Sequence, residues 1–230
     1  MENIILYHGS TKIIEQPVYG GGNPKNDYGL GFYCTENLEL AKEWASTERN
    51  DGFANQYELN TESLSILHLN QSPYHILNWL SILLENRIFI VSQGLPFEAM
   101  QYLLANFLPE YKNYDLIVGY RADDSYFSFA NAFLNNTISL EQLSIAMKLG
   151  KLGEQVVLKS EKAFSGLTFK GSIPVDSSLY YPKRMARDRQ ARNDFQQMKA
   201  ATSTADAVYM IDILRQKWTN DDPRLQSRVP

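Results

Sequence analysis

The chain has 230 residues, of which 44% are hydrophobic, and its formal net charge is −4. This length allows one large α/β domain or a domain with a helical extension, and the apolar content supports a sizeable core. The net charge argues against a protein that coats nucleic acid nonspecifically, but it leaves room for a local basic patch. The single cysteine, Cys34, excludes an internal disulfide and a cysteine-based zinc site, which fits a reducing compartment. The N-terminus lacks the pattern of a signal peptide and no stretch approaches the roughly 18 apolar residues of a membrane-spanning helix, so we expect a cytoplasmic protein with no membrane partner.

The chain begins with an apolar run that predicts a β-strand. Residues 4–7 are Ile-Ile-Leu-Tyr, and they lead directly into His8, Gly9 and Ser10. A histidine, a glycine that exposes its backbone N–H and C=O, and a hydroxyl form a compact polar cluster at the end of this strand. A lone histidine is more often structural than functional, so the cluster needs a second motif before it indicates a site.

A second distinctive segment follows a loop rich in Gly, Pro and Asn. Gly29 and Gly31 flank a turn into a short β-prone run at 32–34, and an amphipathic helix is predicted over about residues 35–48. Thr35 is the expected N-cap of that helix. Glycines at such a turn let a ligand approach the backbone, but many α/β proteins share this local pattern.

The rest of the chain alternates β-prone runs with amphipathic helical runs. The first half is predicted to contain strands at 53–59 and 64–69, helices that open at Pro73 and Pro96, and a strand at 114–119. A helix at 126–134, a short helix capped by Ser139, a strand at 154–158 and a helix capped by Ser160 follow. The chain is then predicted to form a strand at 167–175, a long polar helix from Pro182, an apolar helix at 208–218 and a frayed tail from Asn220. The polar turn between the first two strands of this series predicts a β-hairpin.

Two pairs of neighbouring polar residues stand at element boundaries. Asp123 and Asp124 follow a predicted strand, where carboxylates either cap the next helix or line a binding cleft. Glu154 and Gln155 open a later strand, and because neighbours on a strand point to opposite faces, only one of them can enter a cleft. The polar helix from Pro182 mixes basic with acidic residues, which favours a solvated surface over a guide for nucleic acid.

Taken together, His8-Gly9-Ser10 and Gly29-Leu30-Gly31-Phe32-Tyr33 resemble the ADP-ribosyltransferase superfamily, in its diphtheria-toxin and poly(ADP-ribose) polymerase branch. The chain is most similar to a small bacterial family of uncharacterised domains in that clan, in which Asp-Phe/Tyr-Gly-x-Gly-Phe-Tyr recurs. The resemblance is sharp over residues 4–45 and moderate over 114–170. It implies an α+β fold, an ADP-ribosyltransferase-like split β-sandwich over residues 1–175 with surrounding helices, followed by a helical C-terminal extension over 176–230.

The resemblance also implies NAD as co-substrate and a role for each residue of the two motifs. His8 would bind a hydroxyl of the adenosine ribose, and the backbone of Gly9 would bind the nicotinamide carboxamide. Tyr33 would offer a flat face to the nicotinamide ring, and Trp44 would close the other side. Ser10 would help to hold the ligand.

The third position of the family site is a glutamate that binds the nicotinamide ribose and stabilises its positive charge. One alignment places Glu154 there and another places Gln155. The run Gln-Val-Val-Leu followed by Ser-Glu-Lys-Ala fits the bacterial family and favours Gln155. A Gly-x-x-Ala-Asn/Asp-Asp segment of that family makes Asp123 and Asp124 secondary candidates.

The function implied is an intracellular mono-ADP-ribosyltransferase that modifies a protein or nucleic-acid acceptor, in the role of a bacterial toxin of a toxin–antitoxin or phage-defence system, with an antitoxin as partner. The alternatives are a noncatalytic module of the same fold that binds NAD, ADP-ribose or a partner protein, and an NAD glycohydrolase. The dinucleotide-binding glycine motif, the P-loop and the His-Glu-x-x-His metal motif are absent from the sequence, so no metal site is expected.

Overall fold

The computed structural model describes residues 3–122, 124–149, 153–201 and 206–226. The chain forms two compact units, each built from three separate stretches. Unit 1 comprises residues 1–68, 111–121 and 152–188, and unit 2 comprises 69–110, 122–151 and 189–230. The boundary expected at residue 175 therefore lies inside unit 1. Within the described ranges, no helix has the length and apolarity needed to cross a membrane.

Unit 1 contains two β-sheets, and the expected mixed α+β class is confirmed. The strands are β1 (Asn3–Ser10), β2 (Phe32–Cys34), β3 (Gly52–Asn60), β4 (Ile66–His68), β5 (Leu116–Tyr120), β6 (Glu154–Leu158) and β7 (Leu167–Val175). One sheet has the order β1-β3-β7, and the other has the order β2-β6-β5-β4. The helices of this unit are α1 (Leu38–Ala45), α6 (Glu161–Ser165) and the first part of α7 (Ser177–Ala201).

The hairpin predicted between β3 and β4 is wrong, because these strands belong to different sheets. β3 is paired on both sides by β1 and β7, which leaves it no free edge. β4 instead pairs in parallel with β5. Ser65 and Asp115 fix that pairing: the backbone N–H of Ser65 donates to Asp115 Oδ2 at 2.8 Å, and the N–H of Asp115 donates to the Ser65 carbonyl at 3.0 Å.

Residues from both sheets share one apolar core. Its buried members are Leu6, Cys34, Leu59, Leu116, Val156, Leu158 and Ala163. The sheets are also joined at one backbone pair, where the N–H of Tyr7 donates to the Thr35 carbonyl at 2.8 Å and the N–H of Thr35 donates back at 2.9 Å. This pair puts the edge of β1 beside the end of β2.

Two predicted helix starts are wrong, because other residues take the capping role. Helix α1 begins at Leu38, where Asn37 Oδ1 accepts from the N–H of Leu40 at 3.1 Å, and Thr35 lies before the cap. Helix α7 begins at Ser177 and not at Pro182, which lies inside the helix. The carbonyl of Asp176 accepts from the N–H groups of residues 179 and 180, so the helical pattern is already established before the proline.

Unit 2 is mainly helical. Its helices are α2 (Ile76–Asn86), α3 (Leu95–Asn106), α4 (Asp124–Leu134), α5 (Leu140–Ala146), α8 (Met210–Arg215), α9 (Pro223–Gln226) and the second part of α7. The predicted cap of α5 is confirmed, since Ser139 forms a capping box with Gln142. The tail expected to fray from Asn220 instead continues into α9, and Asn220 Oδ1 accepts from Asn78 Nδ2 at 2.5 Å.

Candidate functional site

The two sheets part immediately after the backbone pair of Tyr7 with Thr35. If the antiparallel ladder continued, the next pair joined by backbone hydrogen bonds would be Gly9 with Tyr33. The bridge between Tyr7 and Thr35 is isolated, so the ladder stops before that pair. The ring of His8 takes the place of that pair, with Nδ1 2.7 Å from the Tyr33 carbonyl oxygen. Because backbone direction alternates along a strand, the N–H and C=O of Gly9 point away from β3, as those of Tyr7 do, toward the opening between the sheets.

His8 is held as a neutral ring with a defined orientation. It stacks on Phe32, with ring centroids 4.4 Å apart and an interplanar angle of 28°. Burial lowers the pKa of His8, and the bond to the Tyr33 carbonyl opposes this only in part. A carbonyl oxygen can only accept, so Nδ1 carries the proton and Nε2 is left as an acceptor. Such a ring is suited to bind a ligand hydroxyl through Nε2.

Gly9 lies directly beneath helix α1. A Cβ at this position would stand 2.2 Å from the carbonyl oxygen of Ala41, 2.7 Å from the backbone nitrogen of Ala45 and 2.9 Å from Cβ of Trp44. Only glycine fits here, for a packing reason that the sequence did not indicate. The same contact brings Trp44 next to the backbone of Gly9.

The ring of Tyr33 is fixed through its hydroxyl group. The hydroxyl accepts from the N–H of Tyr28 at 3.0 Å and donates to the carbonyl of Gly29 at 2.6 Å. The same turn is held from the other side by Lys159, whose Nζ donates to the carbonyls of Tyr28 at 2.6 Å and Leu30 at 2.5 Å. These bonds fix the aromatic face of Tyr33 before any ligand arrives.

Trp44 is stacked with Arg121, a residue that the sequence did not single out. The guanidinium carbon of Arg121 lies 3.9 Å from the ring centroid of Trp44, within the range of a cation–π contact. The indole Nε1 of Trp44 is buried and has no hydrogen-bond partner among the described residues. A buried N–H of this kind can donate to a ligand.

The geometry of β6 separates Glu154 from Gln155. Tyr33 of β2 lies opposite Val157, so Gln155, two residues away from Val157, is on the same face of the sheet as Tyr33. Glu154 is on the other face and is exposed, whereas Gln155 is 3% exposed. The amide Nε2 of Gln155 donates to Asp27 Oδ2 at 2.9 Å and to the carbonyl of Tyr120 at 3.1 Å. Asp27, which is 5% exposed, is a second buried polar residue on this side of the sheet.

Asn55 ties the loop after β1 to the end of that strand. Its Nδ2 donates to the carbonyls of His8 at 3.3 Å and Lys12 at 3.1 Å, and its Oδ1 accepts from the N–H of Ile14 at 3.0 Å. Ser10, at the end of β1, accepts through Oγ from the N–H of Lys12 at 3.2 Å. The hydroxyl of Ser10 therefore serves the local turn.

The remaining candidates of the sequence analysis are Asp123 and Asp124. Asp123 lies outside the described residues, and Asp124 is described only as the first residue of α4 in unit 2. Asp27 and Asn55 are not among the residues predicted from the sequence, although each stands in a recognisable pattern. Asp27 opens the Asp-Tyr-Gly-x-Gly motif, and Asn55 is a polar residue in an otherwise alternating strand. In the described part of the chain, no three His, Cys, Asp or Glu side chains gather as a metal site would require.

Residues 4–169 match the family model described as "Protein of unknown function (DUF3990)". The match spans more than half of the 230 residues, and the chain belongs to this family. No curated protein and no solved structure is significantly similar to the chain.

Proposed function

We propose that the protein is a mono-ADP-ribosyltransferase that uses NAD as co-substrate. The proposal is supported by the opening between the sheets, toward which the backbone groups of Gly9 point. The ring of Tyr33, on the neighbouring strand β2, is held by its hydroxyl, and Cβ of Trp44 packs against Gly9 from α1. Motifs 25 residues apart in the chain are joined there by the bond between His8 and Tyr33.

The backbone of Gly9 matches the carboxamide of nicotinamide. A primary amide has two N–H donors and a carbonyl acceptor, and a strand residue at an unpaired edge offers an acceptor for one N–H and a donor for the C=O side by side. The site thus holds the leaving group in one orientation.

Two aromatic side chains are available for the ring. Tyr33 is held rigid by its hydroxyl, and Trp44 follows on α1 above Gly9. A planar ring between two aromatic faces gains stacking energy and excludes water, which strengthens the electrostatic interactions of the site. The neutral His8 has Nε2 free to accept from a ribose hydroxyl.

The reaction breaks the bond between C1′ of the ribose and the nicotinamide nitrogen, and the bonding electron pair leaves with nicotinamide. Positive charge then develops on the ribose, as it does in glycoside hydrolysis. A nucleophile of the acceptor forms the new bond to C1′ and releases its proton. Gln155 accepts from a ribose hydroxyl through Oε1, which is the part of its amide that makes no bond to the described residues.

We propose the ADP-ribosyltransferase-like split β-sandwich as the fold of unit 1, and the role of a bacterial toxin for the protein. Two sheets that share a core, meet at one backbone pair and then part fit the ADP-ribosyltransferase-like split β-sandwich. The acceptor is a protein or a nucleic acid, and the role is that of a bacterial toxin acting in the cytoplasm, with an antitoxin as partner. This role rests on analogy with the superfamily.

One observation favours a second function, a noncatalytic module that binds NAD or ADP-ribose. Gln155, and not Glu154, shares the face of Tyr33, so the position expected to stabilise the cation carries an uncharged amide. A site of this kind could hold the ligand without cleaving it.

The test incubates purified protein with a cell lysate and NAD labelled in the adenine half. Label is counted in the protein and nucleic-acid fractions, and free nicotinamide is measured in parallel. The test variant is His8→Gln, and the matched control is His68→Gln, because His68 is an exposed histidine on the edge strand β4. Transfer of label by the wild type and by His68→Gln, with loss in His8→Gln, is the expected result.

Other outcomes of this test discriminate the alternatives. Nicotinamide release without label in either fraction identifies a glycohydrolase. Binding of NAD without release supports the noncatalytic module and refutes the transferase. Equal activity of the two histidine variants contradicts the site, whatever the reaction is.

A further inference from the structure

We propose that Asp27 supplies the negative charge that the uncharged Gln155 lacks, acting as a positioning residue through the Gln155 amide. The inference rests on the proposed function, because it concerns the positive charge that develops on the ribose of NAD. It assigns a role to a carboxylate that neither motif of the resemblance uses as a ligand contact.

The side-chain amide of Gln155 is oriented by its hydrogen bonds. Both of its described hydrogen bonds are donated by Nε2, at 2.9 Å to Asp27 Oδ2 and at 3.1 Å to the Tyr120 carbonyl. The two N–H groups of the amide are thus committed to the protein. The carbonyl oxygen Oε1 is left to meet a ligand, and it is the end of the amide that can stabilise positive charge.

The carboxylate of Asp27 is buried together with the amide of Gln155. Asp27 is 5% exposed and Gln155 is 3% exposed, so their bond lies in a medium of low dielectric constant. A carboxylate that accepts from an amide N–H increases the negative charge on the carbonyl oxygen of that amide. Coulomb attraction to a cation a few ångströms away is also stronger here than in water.

Hydrogen bonds through Tyr28 connect Asp27 and Gln155 with Tyr33. The residue after Asp27 is Tyr28, whose N–H donates to the Tyr33 hydroxyl at 3.0 Å. The hydroxyl of Tyr28 donates to the Tyr120 carbonyl at 2.6 Å, which is the same oxygen that Gln155 binds. Asp27, Gln155 and Tyr33 therefore belong to one hydrogen-bonded network, and the carboxylate is fixed relative to the ring of Tyr33.

The movement of positive charge during the reaction predicts which kinetic constant depends on Asp27. Substrate NAD carries its positive charge on the nicotinamide ring, and this charge moves to the ribose as the bond breaks. The interaction with the Asp27–Gln155 pair strengthens during that step, so it lowers the barrier more than it improves binding. The loss of Asp27 is expected to reduce kcat and leave KM nearly unchanged.

The experiment measures nicotinamide release at a series of NAD concentrations with full-length protein. The variants are Asp27→Asn, Gln155→Glu and the exchange double variant Asp27→Asn/Gln155→Glu, which restores one carboxylate to the pair. Asp51→Asn is the matched control, because Asp51 is an exposed carboxylate of the same unit that accepts from the N–H of Ser177. Circular dichroism and thermal unfolding verify that each variant is folded.

We expect Asp27→Asn to lower kcat about 100-fold, which corresponds to about 2.7 kcal/mol, with KM changed less than about threefold. The double variant is expected to recover most of this loss, and Asp51→Asn is expected to match the wild type. Full kcat in folded Asp27→Asn overturns the inference and leaves the transferase standing. A double variant as slow as Asp27→Asn also overturns it, since Asp27 would then act only on structure. A wild type that binds NAD but releases no nicotinamide overturns the proposed function and, with it, this inference.

Discussion

The ion pair between Glu43 and Arg187 gives a prediction that does not depend on the proposed chemistry. Glu43 lies on α1, next to Trp44, and Arg187 lies on α7. The guanidinium donates from Nε to Glu43 Oε2 at 2.9 Å and from NH2 to Glu43 Oε1 at 2.7 Å, which makes a bidentate pair. The Glu43 side chain is 5% exposed and the Arg187 side chain is 27% exposed. The two partners therefore depend on each other unequally.

Replacing Arg187 by methionine leaves a buried carboxylate without its counter-ion, and the free energy of unfolding should fall by about 3 kcal/mol. Replacing Glu43 by glutamine leaves a guanidinium that reaches water, and the loss should be about 1 kcal/mol. Lys183→Met is the control, because Lys183 and Glu39 are 3.9 Å apart and about half exposed, so that pair contributes at most about 0.5 kcal/mol.

Differential scanning calorimetry measures the effect. For a chain of this size, 1 kcal/mol corresponds to about 2–4 °C in Tm, so Arg187→Met should lower Tm by about 6–12 °C and Glu43→Gln by about 2–4 °C. The unequal dependence of the two partners is refuted if Arg187→Met lowers the free energy of unfolding no more than Lys183→Met does. It is also refuted if Glu43→Gln is the more damaging of the two changes.

Three further predictions concern the elements around the site. Gly9→Ala should lower the free energy of unfolding by about 3 kcal/mol in urea titrations, because the new Cβ meets the backbone of α1, and a variant as stable as wild type would contradict the placement of that helix. Asn37→Ala should cost about 1 kcal/mol through loss of the α1 cap, and a loss near zero would place the cap elsewhere. Burial, with a smaller contribution from Lys112, lowers the pKa of Lys159 to about 8, against about 10.4 in an unfolded chain. Between these pH values the folded state binds fewer protons than the unfolded state. The free energy of unfolding of wild type should therefore rise relative to that of Lys159→Met as pH increases from about 8 to about 10.5. A difference that stays constant over this range would exclude the pKa shift.

The local elements were predictable where the signal lies within a few residues. The strand expected at 167–175 is β7 with the same bounds, and the short run at 32–34 is β2. The caps at Ser139 and Ser160 were also predicted correctly, because a hydroxyl before an amphipathic run is a local signal. The cap of α1 was misplaced because Thr35 and Asn37 both have side chains that can cap, and only the backbone geometry selects Asn37.

Long-range relations could not be obtained from local patterns. The membership of β3 and β4 in different sheets depends on which edges other strands occupy, and those strands are distant in the chain. The bond between Asp27 and Gln155 joins residues 128 positions apart, and nothing near either residue indicates the other. The contact of Gly9 with α1 is also tertiary, so the sequence suggested ligand access for this glycine and not helix packing.

If NAD is cleaved at the opening between the sheets, purified protein releases nicotinamide from NAD, and this release can be measured without an acceptor. Tyr33→Ala removes the fixed aromatic face, and Tyr19→Ala is the control, because Tyr19 lies in the loop before the motif and is 49% exposed. Wild type and Tyr19→Ala are expected to release nicotinamide at similar rates, whereas Tyr33→Ala, folded and at the same concentration, is expected to release none. Release by Tyr33→Ala at the rate of the wild type would show that cleavage does not take place against Tyr33. No release by the wild type would show that the protein does not cleave NAD.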